Sequence, residues 1–294
     1  MKIGVLGGSG LYSLDGIENL KKTEVETPFG KPSDAIVQGT LNGREVCFLP
    51  RHGRGHRILP SEINHKANIY ALKTLGVDRV VSVSAVGSLR EEYRPRDIVL
   101  PDQYYDRTKG ALDHTFFGRG LVAHIGFSEP ACPAMREQLA GAAQAAIAAA
   151  GLSPEPRVHV GGTYVNMEGP AFSTKAESHI YRQLGCDVIG MTSLPEAKLC
   201  REAEMCYQAM AMVTDYDCWR ESEEAVSVES IYGHLTANTA LAKAALPLAF
   251  AAFPEERSCV CANALANALM TVRDVIPKQT LYDLKPIVGE YFNL

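Results

Sequence analysis

The chain opens on a short apolar run, residues 2–6 (KIGVL), that stops at Gly7-Gly8-Ser9-Gly10. A run of this length bounded by glycines reads as a buried strand feeding a tight turn. Val46, Phe48 and Leu49 before Pro50 repeat the pattern and end in a basic loop, Arg51-His52-Gly53-Arg54-Gly55-His56-Arg57. Ile63, Ala67, Ile69, Tyr70 and Leu72 then recur at helical spacing, which predicts a helix capped by Ser61 and ended by Gly76. Residues 78–85 (DRVVSVSA) and 98–100 predict strands, and 133–150 an alanine-rich helix between Pro133 and Gly151. After these, 157–163 reads as a strand, 174–184 as a helix, 187–190 as a strand, and 195–204 as a helix entered through Pro195. A buried strand is predicted over 207–213, and 226–270 reads as mostly helical with breaks at Pro247 and Pro254.

Strand and helix alternate along the chain without a Pro/Gly/Ser-rich linker or an internal repeat. The pattern predicts a single α/β domain over residues 1–294, with a mixed central β-sheet flanked by helices. Composition agrees: 46 % hydrophobic against 21 % charged is a globular balance. The 29 basic and 34 acidic residues leave a formal charge of -5, which argues against a general nucleic-acid or membrane binder. The first strand runs straight into its glycine turn without the flanks of a signal peptide, and no apolar run is expected to reach the roughly 20 residues that span a bilayer. The chain is therefore expected to be cytoplasmic. Eight cysteines are too sparse for a disulfide scaffold, and neither Cys259-Val260-Cys261 nor the Cys200/Cys206 pair has the CxxC spacing of a zinc knuckle. Buried free thiols and no metal are the expectation.

Several loops bring chemistry to predicted strand ends. The glycine turn is not a dinucleotide fingerprint, because Ser13 stands where the third glycine of GxGxxG belongs, and it lacks the Gly-Lys-Ser/Thr ending of a P-loop. It reads either as a plain tight turn or as a nest of amides that, with the Ser9 hydroxyl, holds a phosphate. The Arg51–Arg57 loop concentrates guanidinium and imidazole groups suited to a planar oxyanion. Ser84-Ala85 before Gly87, and Thr192 after Gly190-Met191, put hydroxyls at carboxyl ends of strands, where ligands of open α/β sheets bind. A satisfied strand-end hydrogen bond is the plain alternative for each. In Thr214-Asp215-Tyr216-Asp217 two carboxyls leave a strand end, on one side if the chain stays extended, so they can face a ring that displays donors or hold a proton for transfer. Phe172 and Ser173 offer an aromatic wall and a hydroxyl. HExxH, EF-hand, GxSxG and kinase signatures are absent, and His52, His56, His65 and His124 lack ligand spacing.

GGSG (7–10), RHGRGH (51–56), NHKANIYALK (64–73), SAVGSLRE (84–91), EGPAFSTKAES (168–178), MTSLPEA (191–197) and TDYDCW (214–219) occur in one order. In these stretches the chain resembles the trimeric purine nucleoside phosphorylase family, in its methylthioadenosine phosphorylase branch. The resemblance implies a phosphate site from Ser9, Arg51, His52, Ser84, Ala85 and Thr192. It implies a purine site from Phe172, Ser173, Asp215 and Asp217, ribose against Met191, and an alkylthio pocket from Val228 and Ile231 with His124 of a neighbouring subunit in a homotrimer. Asp215 and Asp217 are the implied catalytic pair, phosphate is a co-substrate, and no cofactor is implied. The implied reaction is phosphorolysis of 5′-methylthioadenosine to adenine and 5-methylthioribose 1-phosphate. Two positions depart from the family pattern: Ala171 replaces an arginine and Gly55 a glutamine. Phosphorolysis of 6-oxo nucleosides (methylthioinosine, inosine or guanosine) and non-catalytic nucleoside binding are the alternatives; the failed glycine spacing disfavours a NAD-dependent oxidoreductase.

Overall fold

The computed structural model describes residues 1–220 and 228–294, with the side chains of 111, 112 and 228–232 excepted. The first part of the chain forms β1 (Lys2–Gly7), β2 (Glu18–Thr23), β3 (Ile36–Leu41), β4 (Arg44–Pro50), α1 (His65–Thr74), β5 (Arg79–Ser88), β6 (Ile98–Leu100) and β7 (Gln103–Arg107). Then follow α2 (Pro133–Ala150), β8 (Val158–Val160), β9 (Thr163–Met167), α3 (Lys175–Gln183), β10 (Val188–Gly190), α4 (Ser193–Glu202), β11 (Cys206–Asp215), α5 (Val228–Ala252), α6 (Lys278–Asp283) and α7 (Lys285–Phe292).

Among the described residues eleven strands form one mixed sheet, in the order β2-β3-β4-β1-β5-β10-β9-β7, with β11 also on β5 and carrying β6 and then β8. This is the mixed, helix-flanked α/β sheet that the alternation predicts. β5 is the hub. Its first half pairs in parallel with β1, β11 runs parallel along it from Arg79 to Gly87, and Gly87 and Ser88 at its far end pair antiparallel with β10. Strands covered on both faces have no solvent face to show, which is why β1 and most of β11 read as apolar runs, while the serines that alternate along β5 are buried like its valines. α2 and α5 pack together over one face of the sheet, burying Leu139, Ala143, Leu246 and Phe250. Each large side chain so buried contributes about 1.5–3 kcal/mol of apolar transfer. α1, α4 and α7 cover Leu6, Leu49, Val80 and Ala209 in a second cluster.

Several expectations need correction. The cap of α1 is Asn64, whose side chain accepts from the Ala67 amide at 3.0 Å, while Ser61 lies in a preceding 3-10 turn. The strand expected over 157–163 is split into β8 and β9 at Gly161-Gly162, both with positive φ. α4 begins at Ser193, so Pro195 sits in its first turn. α5 runs through Pro247 and ends before Pro254, and 255–270 holds only a short 3-10 turn instead of a continued helix. The stretch Gly233–Ala252 is long and apolar enough to cross a membrane, contrary to the sequence reading, although in the fold 39 % of that stretch is buried and it packs on α2 and β11.

Candidate active site

The carboxyl ends of β1, β4, β5, β10 and β11 surround one cavity of about 310 Å³. Its wall includes Ser9, Arg51, His52, Ser84, Ala85 and Thr192 on one side and Phe172, Asp215 and Asp217 with Met191 on the other. The glycines at its edge answer to close contacts. A Cβ on Gly8 would lie 2.4 Å from the Val83 carbonyl oxygen and 2.9 Å from Arg51 Nη1, and one on Gly190 would lie 1.9 Å from the Tyr164 hydroxyl. Backbone therefore forms this part of the wall.

Arg51 follows β4 and is 1 % exposed. Its Nε donates to Glu196 Oε1 and its Nη2 to Glu196 Oε2 (3.3 Å) and Ser82 Oγ (2.5 Å). Glu196, on the first turns of α4, also accepts from Ser82 (2.6 Å) and Tyr207 (3.0 Å), and Ser193 links Tyr207 to Tyr104. Burial opposes the Arg51 charge and Glu196 more than offsets it, leaving the guanidinium above its ordinary pKa. The arginine is thus a neutralised strut in the cavity wall rather than a free cation. Sequence reasoning missed Glu196, since an acid on a predicted helix carries no local sign of a partner 145 residues away.

His52 is also neutral. Burial first, then Arg51 nearby, push its pKa down to about 4. Its Nδ1 lies 2.9 Å from the Ile58 carbonyl, a contact that calls for a proton on Nδ1 and leaves Nε2 as an acceptor. The ring stacks on His56 at 4.4 Å. Ser84 Oγ is buried without a hydrogen bond of normal geometry among the described residues, with the equally unsatisfied Tyr164 hydroxyl nearby. Thr192 is the N-cap of α4 and lines the cavity without a side-chain cap bond, while the Leu194 amide of the same turn is taken by Asn166 Oδ1 at 2.9 Å. An orphan hydroxyl beside a helix N-terminus suits an anion.

At the other end the chain does not stay extended. A register shift between Val213 and Asp215 leaves Thr214 as an extra residue against β5, and Asp217 turns back with φ 52°. A bulge of this kind re-aims the side chains that follow it. Asp215 Oδ1 accepts from the Asp217 amide (2.8 Å) and Oδ2 from the Thr214 hydroxyl (2.6 Å). The pair therefore meets through a turn, not through strand alternation. Burial raises the Asp217 pKa from its ordinary value. Trp219 anchors the turn by donating to the Ser88 carbonyl at 2.8 Å, with the Arg182 guanidinium 3.4 Å from its ring centre.

Other expected residues stand apart. Ser173 is not on the wall itself but sits behind it, its hydroxyl 3.8 Å from Met167 Sδ and acting on the Asp217 carboxyl. His124 is exposed and outside its own chain's cavity, with its amide bonded to the Ala268 carbonyl. Val228 and Ile231 start α5, and their side chains lie outside the described residues. Leu235, four residues beyond Ile231, does line the cavity.

At the carboxyl edge of one mixed sheet, where such sheets bind ligands, one cavity thus gathers hydroxyls, a helix N-cap, an aromatic ring and a carboxyl pair. The chain belongs to the Phosphorylase superfamily, whose family model matches residues 2–247. Within it the close relatives are S-methyl-5′-thioadenosine phosphorylases. That of Koribacter versatilis is 54 % identical over 99 % of this chain and 97 % of its own, and that of Geobacter sulfurreducens 53 % identical over 98 % of each. The crystal structure of a methylthioadenosine phosphorylase from an antarctic soil metagenomic library superposes with a TM-score of 0.90 at 47 % identity, over 97 % of this chain and 98 % of that one. The Schistosoma mansoni methylthioadenosine phosphorylase in complex with adenine gives 0.81 at 36 % identity, over 87 % and 93 %.

Proposed function

We propose that this protein cleaves 5′-methylthioadenosine with inorganic phosphate, giving adenine and 5-methylthioribose 1-phosphate. The observation that carries the reading is the single cavity with orphaned and helix-terminal donors at one end and the Asp215/Asp217 pair at the other. Ser9, Ser84 and Thr192 donate to phosphate oxygens, Ala85 brings its backbone alongside, and His52 Nε2 accepts the one proton of a dianionic phosphate. Arg51 fixes this end through Glu196. A phosphate oxygen attacks C1′ as the bond to N9 breaks, and the dianion stabilises the oxocarbenium-like ribosyl between them.

Adenine departs as its N7 takes the proton carried by the Asp215 carboxyl, which is left as a carboxylate. Asp215 is the group beside N7 and Asp217 faces the 6-amino group. The bound purine completes the burial of both carboxyls. A carboxylate accepts from the 6-amino group of adenine and repels the carbonyl of a 6-oxo base, which favours adenine nucleosides. Phe172 and Pro170 cover the ring, and Met191 lies under the ribose.

His124 from a neighbouring subunit, with Val228 and Ile231, completes the alkylthio end in a homotrimer; the enzyme is cytoplasmic and forms one domain over 1–294. The test is phosphate-dependent release of base from methylthioadenosine, run beside methylthioinosine, inosine and guanosine with phosphate-free controls. Preferred, phosphate-dependent release of adenine is the expected result. Preference for 6-oxo substrates overturns the base assignment, and no turnover of any nucleoside overturns the reaction. Sedimentation at micromolar protein tests the trimer.

A further inference from the structure

Away from the cavity, at the starts of α2 and β11, four cysteines converge. Cys132 is the N-cap of α2, Cys206 opens β11, and Cys259 and Cys261 flank Val260 at the turn that follows α5. Their Sγ atoms all lie within 4.8 Å of one another, Cys206 and Cys259 being 3.3 Å apart, and all four are free thiols. Three are buried and Cys259 is partly so. A tetrahedral site with Zn–S bonds of about 2.3 Å has S···S edges of about 3.8 Å, inside the spread of this cluster.

We infer that these four thiols form a structural binding site for a soft divalent cation, with zinc the natural occupant. Four sulfurs and no oxygen or nitrogen donor select zinc over magnesium or calcium, and four protein ligands leave no position for water or substrate. On binding, each thiol releases its proton to solvent and the ion takes four thiolates, leaving a net charge of -2 on the centre. The surroundings suit that charge. Arg79 and Arg257 line a cavity of about 20 Å³ that touches Cys132, Cys206 and Cys259, with Glu256 the one acid on its wall. Cys132 also sits at the positive end of the eighteen-residue α2 and makes no side-chain cap bond.

The centre ties distant parts of the chain together. Arg79 Nη2 donates to the carbonyls of Pro254 and Glu255, and Arg257 Nη1 to that of Glu204, so the approach to Cys259 is already pinned beside β11. Beyond Cys261, Ala268 and Leu269 hold the backbone at Ala123 and His124. A metal at the cysteines therefore stabilises the 253–270 segment that carries this contact. CxxC spacing does not reveal the site because two ligands come from element starts 74 residues apart and the other two from a CxC turn.

The test is metal and thiol analysis of the full-length enzyme expressed in zinc-supplemented medium and purified with reductant and without chelator. The expected result is about one zinc per chain, with half of the eight cysteines protected from a thiol reagent until the ion is stripped. Cobalt added to the stripped wild type should saturate at one equivalent with the strong visible bands of a tetrahedral thiolate site, which needs no variant to fold. Cys132→Ser and Cys261→Ser should each lose the zinc, and stripping should lower the thermal midpoint by several degrees while leaving kcat at 25 °C unchanged. Eight reactive thiols with no affinity for micromolar zinc, or fewer than eight thiols in the metal-free protein because pairs have oxidised to disulfides, overturns the proposal.

Discussion

The Arg51–Glu196 pair offers a way to separate what holds the cavity from what the cavity holds. Glu196→Gln keeps the shape. Its amide oxygen can still accept from Ser82, Tyr207 and Arg51 Nη2, but its NH2 then faces Arg51 Nε, donor against donor. Both partners are 1 % exposed, so the guanidinium is left buried and uncompensated. Removing one partner of such a pair costs about 3–5 kcal/mol, and the hydrogen bonds retained by glutamine put the expected loss near about 3 kcal/mol. In a chain of 294 residues that lowers the thermal midpoint by about 5 °C. Phosphate supplies the missing negative charge. Its stabilising effect should therefore be larger in the variant, so that the midpoint gained between zero and saturating phosphate exceeds the wild-type gain. Differential scanning fluorimetry at fixed ionic strength, with sulfate-free buffer and sodium chloride as the control, reads both quantities. A loss under about 1 kcal/mol, or equal phosphate increments in the two proteins, refutes the reasoning. Arg51→Met with Glu196→Leu removes both charges and should recover most of the stability while abolishing the extra phosphate response.

Ser84→Ala separates stability from binding: deleting a buried hydroxyl without a hydrogen bond of normal geometry should leave the thermal midpoint unchanged or higher, while the KM for phosphate rises about tenfold, one hydrogen bond to an anion. A lowered midpoint with unchanged phosphate KM would count against its place in the anion site. Asp215→Asn should reduce kcat/KM for methylthioadenosine about 10–100-fold and leave the phosphate KM within about twofold, and Asp217→Asn should shift preference toward methylthioinosine, because an amide donates to a 6-oxo group. Equal losses on both nucleosides in both variants would sink the division of roles. His52 has a folded pKa of about 4 against an ordinary 6.5, so the stability it contributes is present above pH 6.5 and is lost as pH falls toward 4. Glu202, raised to about 7 by burial, acts in the opposite sense, so the readout is the urea-denaturation difference between wild type and His52→Gln, which should shrink by about 2 kcal/mol from pH 7 to pH 5. A constant difference across that range would show that His52 takes up its proton in the fold as readily as in the unfolded chain.

What the sequence makes legible is what lies next to a buried strand. β1, β4, β5 and β11 are mostly buried on both faces, so their ends stand out, and the glycine turn, the Arg51–Arg57 loop, Ser84-Ala85 and the Asp215/Asp217 pair follow from position, while only the resemblance singles out Arg51 and His52 within the loop. β2 and β7 do not stand out because they are edge strands with mostly solvent-facing side chains, and a strand with no buried face leaves no alternation to read. α6 and α7 are short and take their support from packing rather than propensity. Long-range pairing is the other blind spot. Glu196 belongs to Arg51, Arg182 to Trp219, and Cys132 to Cys259 and Cys261, and none of these partners has a local signature. Ser61 competes with Asn64 as a cap on equal sequence terms, and the side-chain bond to Ala67 decides it.

The same pairing changes the electrostatic reading of the cavity. A basic loop suggests that phosphate is caught by free positive charge, yet Arg51 is matched by Glu196, Arg54 pairs with Asp34 at 2.9 Å, and Arg57 donates to the Ser33 carbonyl. Burial keeps His52 neutral. What remains at the phosphate end is a set of oriented dipoles: the hydroxyls of Ser9, Ser84 and Thr192, the turn after β1 and the N-terminus of α4. Dipoles fixed by the fold bind a dianion without neutralising it. Under the proposed reaction this matters, because the anion's own charge must still be there to meet the cationic ribosyl, and a free guanidinium against the same oxygens would quench it. Glu196 then does more than satisfy a buried arginine: it sets how much of the phosphate charge is left for the transition state.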